Sequence, residues 1–116
     1  MKDEEELSNS LNGLGTFFQL LFVNDLNDIR SGQRAEQCFL ECQKVRERIH
    51  SKELGPVFVS LAEHYLSRQD DSLLLQALYY LDQSIKVYST MQGPETTRLC
   101  YPLKSLAKLF PCAVLC

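Results

Sequence analysis

The sequence predicts an all-α fold, an α-α superhelix of about two and a half helical hairpins, on three observations. Apolar residues recur every three or four positions along almost the whole chain, no stretch alternates with period two, and a short pattern returns at a constant offset. The 116 residues make one domain, with hairpin 1 at about 5–50, hairpin 2 at about 53–91 and a partial third repeat at about 95–116.

Taken in order, the first helix carries Leu7, Leu11, Leu14, Phe18 and Leu21 on one face. The stretch from Asn24 to Gln33 holds Asn, Asp, Ser and Gly, which predicts the loop that ends the helix. A second helix then aligns Ala35, Cys38, Phe39, Cys42, Val45 and Ile49. Gly55-Pro56 marks the next junction, and Leu54, Phe58, Leu61, Ala62 and Tyr65 form the face of the third helix. Asp71-Ser72 offers short oxygen side chains to cap a fourth helix, whose face is Ala77, Leu81, Ser84, Ile85 and Tyr88. After a further break at Gly93-Pro94, part of a fifth helix spans Leu103 to Phe110. Pro102, tolerated only in a first turn, sets its start near Tyr101.

Composition narrows the function. A net charge of −3 and an isoelectric point near 5.3 leave no broad basic surface, which speaks against nucleic acid and against an anionic membrane as targets. The chain opens with Asp3-Glu4-Glu5-Glu6, unlike the basic start of a secretory signal, and these carboxylates suit the positive end of a helix dipole. The most apolar stretch, Leu14 to Val23, is far shorter than the roughly 20 residues of a membrane helix. Five cysteines, odd in number and sparsely spaced, point to a reducing compartment, the cytoplasm or nucleus.

Chemistry finds little support. His50 and His64 stand in no recognised spacing with Cys, Ser or Asp, and both read as exposed helix histidines. The glycines form no phosphate-cradling loop. Cys38 with Cys42, and Cys112 with Cys116, share helical faces, but neither pair has the knuckle spacing of a zinc site. The sequence therefore predicts no enzyme, no catalytic residue, no metal and no cofactor.

The repeat is the strongest signal. Leucine, a small residue and then an aromatic three positions on appear at Leu14-Gly15 with Phe18, Leu61-Ala62 with Tyr65, and Leu106-Ala107 with Phe110. A second pattern pairs Ala35, Phe39 and Cys42 with Ala77, Leu81 and Ser84, each member 42 residues after its counterpart. Small residues at Gly15, Cys42, Ala62, Ala77 and Ser84 let helices approach, while Phe18, Phe39, Tyr65 and Leu81 fill the gaps.

These two patterns resemble the tetratricopeptide repeat (TPR) family over nearly the whole chain. The spacing departs from the usual 34 residues and is closer to the longer, 42-residue repeats of kinesin light chain type. The resemblance implies a protein-binding scaffold or adaptor, with first helices lining a concave face that receives a peptide or helix of a protein partner. By motif position that face would carry Asn12, Thr16 and Gln19, then Val59, Glu63 and Leu66, then Lys104 and Lys108. Val59 and Glu63 do not suit the clamp for a terminal carboxylate found in chaperone-binding members. The alternative is a structural assembly module forming homo-oligomers through its incomplete third repeat, because Leu103, Leu106, Phe110 and the uncharged tail from Pro111 to Cys116 offer an apolar end without a cap.

Overall fold

A computed structural model describes residues 2–90. They form α1 (Lys2–Asn24), α2 (Ile29–Arg48), α3 (Leu54–Ser67), a 3₁₀ turn (Asp71–Leu73) and α4 (Leu74–Ser89). The fold is all-α, with no strand among the described residues. α1 packs along α2 and α3 along α4 as two antiparallel hairpins, and α2 and α3 join them. The expected junction at Gly93-Pro94, the fifth helix and the tail from Pro111 lie outside the described residues.

The periodicity of three of the four helices survives into the core. Ala35, Phe39, Cys42 and Val45 of α2, Phe58, Leu61, Ala62 and Tyr65 of α3, and Ala77, Leu81, Ser84 and Tyr88 of α4 are all buried. The small positions named by the repeat, Gly15, Cys42, Ala62, Ala77 and Ser84, are buried as well. Between α3 and α4 the rings of Phe58, Tyr80 and Tyr65 stack in sequence, with centroids 5.9 Å apart at each step. Such offset pairs add to the area that the rings bury.

α1 departs from its predicted face. Leu7, Leu14 and Leu21 are exposed, whereas Ser8, Gly15 and Phe22 are buried and Leu11 and Phe18 half-buried. The cause is close approach. A Cβ on Gly15 would stand 2.8 Å from the Phe39 ring, so only glycine lets that ring seat against the α1 backbone. Ser8 completes the same side by a different route: Cys42 Sγ donates to its carbonyl at 3.3 Å and Arg46 Nε to its hydroxyl at 3.2 Å. The helix therefore turns Ser8, Gly15 and Phe22 toward α2, and Leu7, Leu14 and Leu21, which dominate the sequence pattern, face out.

The loop predicted from Asn24 to Gln33 is shorter than expected, because α2 already starts at Ile29. Asp28 caps it: one carboxylate oxygen accepts from the Ser31 amide at 3.2 Å and the other from the Ser31 hydroxyl at 2.6 Å. Ser31 and Gly32 then belong to the buried face, with Phe22 pressed against Gly32. The cap expected for the fourth helix serves the 3₁₀ turn instead, and α4 itself starts after Leu73 with no side-chain cap. Asp70, not Asp71, accepts from the Ser72 amide and hydroxyl, at 2.9 and 2.7 Å. Pro56 sits in the first turn of α3, where its missing amide hydrogen is no loss.

Candidate interaction face

The two hairpins meet at a polar seam between α1 and α3. His64, predicted to be an exposed helix histidine, is instead fully buried. It follows Leu61 by three residues and so turns with the core face of α3. Its Nδ1 lies 2.7 Å from Gln19 Oε1, Gln19 Nε2 donates to Ser67 Oγ at 2.9 Å, and Ser67 Oγ donates to the His64 carbonyl at 2.6 Å. Because Gln19 Nε2 is occupied as a donor, its Oε1 accepts, which assigns the imidazole proton to Nδ1. Nε2 is buried with no hydrogen-bond partner. Burial is the main cause that lowers the His64 pKa to about 4, opposed by the nearby Glu36 carboxylate and reinforced weakly by Arg68.

A second polar bridge links α2 to α3. Tyr65 donates to Glu36 Oε2 at 2.7 Å, and Arg68 contacts Glu36 Oε1 at 3.2 Å. Burial first, and then the Glu36 carboxylate, drive the Tyr65 phenol far above its ordinary pKa, so the hydroxyl stays a donor. A third anchors α1 to the α2–α3 link. The buried Arg46 guanidinium donates to Ser8 Oγ, to Asn9 Oδ1 at 3.2 Å and to the Glu53 carbonyl at 2.8 Å.

None of these groups forms a reactive constellation. Ser67 donates to a backbone carbonyl and stands beside no base that takes its proton. Burial raises the pKa of both Cys38 and Cys42, keeping them as thiols. Among the described residues no group of three or more His, Cys, Asp or Glu side chains could hold a metal ion. No helix among them is long and apolar enough to cross a membrane.

The expected face on the first helices is placed as follows. Gln19 is spent on the seam, where its amide spans the two helices. Thr16, one turn before it, is exposed and donates to the Asn12 carbonyl at 2.8 Å. Asn12 is half-buried, and its Oδ1 is buried without a hydrogen-bond partner. On α3, Glu63 is exposed one turn before Ser67, Leu66 is half-buried against the core, and Val59 is buried. Thr16 and Glu63 are thus exposed one turn before Gln19 and Ser67, two members of the seam. Lys104 and Lys108 lie outside the described residues.

Sequence reasoning missed His64, Ser67 and Arg46 as joints of the fold. A signal existed, since His64 and Arg46 both fall on apolar helical faces, at three after Leu61 and four after Cys42. Periodicity alone does not say whether such a polar residue finds partners. Compared with known protein families, with curated proteins and with solved structures, the chain finds no significant match.

Proposed function

We propose that this chain is a non-enzymatic protein-binding scaffold of TPR type whose α1–α3 face receives a peptide or helix of a protein partner. The supporting observation is the seam itself. Gln19, Ser67 and His64 hold α1 and α3 side by side, leaving Thr16 and Glu63, each one turn before a member of the seam, exposed. The exposed Glu63 favours a partner with a basic or neutral side chain there. No lysine from α1 or α3 stands among these residues, so a terminal carboxylate is a poor match. The thiol state of Cys38 and Cys42 suits residence in the cytoplasm or nucleus.

The test is comparative capture from cell lysate by the wild-type chain and by a Thr16→Arg, Glu63→Arg double variant, quantified by mass spectrometry. Both positions are exposed, so the fold tolerates the change. Proteins enriched by the wild type should be depleted with the double variant and retained by Lys44→Glu, a substitution on exposed α2 surface. An unchanged set of captured proteins would reject this face as the binding site.

A further inference from the structure

α1 has two apolar faces, and the α2–α3 core uses only one. On the other, Leu7, Leu14, Phe17 and Leu21 are 48, 47, 54 and 39% exposed. Their spacing of seven, three and four places them in a single stripe along the helix, of the kind seen in a coiled-coil seam. Small residues interrupt the stripe, since Ser10 is exposed and no atom comes within 4 Å of where a Gly13 Cβ would stand. Together these side chains present a contiguous apolar surface on the order of several hundred Å², a size that marks association sites on soluble domains.

We infer that this stripe is a homodimer interface in which α1 of one copy packs antiparallel against α1 of a second. Two features favour a second copy of this chain over an unrelated partner. The stripe is self-complementary: Leu7 and Leu21 are equidistant from Leu14, so a twofold axis near Leu14 brings Leu7 to Leu21 of the other copy, and Phe17 of one copy to the level of Leu11, next to Ser10, of the other. The charges at its two ends also match. The exposed carboxylates of Asp3 and Glu6 occupy the first turns of α1, while Arg30 and Arg34, both exposed, flank its far end. Arg34 lies 5.6 Å from the Phe18 ring, at the edge of the stripe. The carboxylates at that corner accept hydrogen bonds locally, Asp25 from the Asn27 amide and Asp28 from Ser31, and Asp28 also offsets part of the charge of Arg30 and Arg34. Antiparallel pairing sets Asp3 and Glu6 of each copy toward Arg30 and Arg34 of the other, twice over, and so favours that orientation.

Sedimentation equilibrium of the full chain over a micromolar range tests the inference. The wild type should approach twice its 13.3 kDa mass with rising concentration. Leu14→Glu and Phe17→Glu, at exposed positions whose change leaves the core intact, should each raise the dimer dissociation constant about tenfold or more. Leu75→Glu, at an apolar and still more exposed position but on α4, should leave it unchanged. A second arm uses charge. Asp3→Lys with Glu6→Lys should weaken the dimer, and mixing that chain with one carrying Arg30→Glu and Arg34→Glu should restore it as a heterodimer. A monomer at every concentration would overturn the inference, whether the stripe is then covered by residues 91–116 or stays bare. So would a dimer indifferent to Leu14→Glu and Phe17→Glu, or one lost with Leu75→Glu.

Discussion

Acidification tests the α1–α3 seam through His64. The imidazole is fully buried, its Nδ1–H is committed to Gln19, and its Nε2 faces no hydrogen-bond partner, so a second proton would create a buried, unpaired donor carrying charge. The native pKa of about 4 lies below the ordinary 6.5, which means that between these values the unfolded chain binds the proton and the folded chain does not. Stability from this group is therefore complete above pH 6.5 and is lost progressively as pH falls toward 4. One pKa unit corresponds to about 1.4 kcal/mol, so the full loss is on the order of 3 kcal/mol, with about 2 kcal/mol already gone at pH 5. Urea unfolding followed by far-ultraviolet circular dichroism, at pH 7 and at pH 5, measures it. Glu36 and Arg68 face His64 in both chains, so the informative quantity is the difference between the wild type and His64→Gln. Glutamine keeps an N–H for Gln19 and cannot protonate. Its stability should fall about 2 kcal/mol less between the two pH values than that of the wild type. Equal losses in both chains would refute the assignment of a buried neutral imidazole.

Other substitutions probe the packing directly. Gly15→Ala should destabilise by about 1–3 kcal/mol, because the added methyl meets the Phe39 ring at 2.8 Å. Gly13→Ala, in open space two residues earlier, should instead stabilise by about 0.5–1 kcal/mol through the unfolded chain. Urea midpoints that move in the same direction for both would contradict the orientation of α1. Leu61→Ala empties a fully buried site between the hairpins and should lower stability by about 2–5 kcal/mol in the same assay. His50 has φ of 52° in the link after α2, so His50→Gly should raise stability by about 1 kcal/mol; a loss would show that its side chain contributes more than the strain it carries.

The helices and most of their inward faces could be read from the order of the residues. Spacing of three and four decides which side chains a helix groups together, whatever it packs against, so Phe39 with Cys42, Leu61 with Tyr65 and Leu81 with Tyr88 are legible before any fold is known. The small residues at repeat positions were legible too, because close helices need them wherever they meet. Of the candidate face, the sequence could name positions on α1 and α3 but not their condition: Gln19 is consumed by a joint, Val59 is buried, and Thr16 and Glu63 are open.

Tertiary structure alone decided which of the two apolar faces of α1 enters the core. Leucine bulk favoured Leu7, Leu14 and Leu21, yet the contact with α2 is set by how near two backbones can come, and Ser8 and Gly15 allow the nearer approach. It also decided the state of His64 and Arg46. A polar side chain on an apolar face is exposed, strained or satisfied according to what the neighbouring helix offers, and that neighbour is 45 residues away for His64 and Gln19. Local pattern fixes what each helix presents; the partner across the interface determines what is buried and what is left for another molecule to meet.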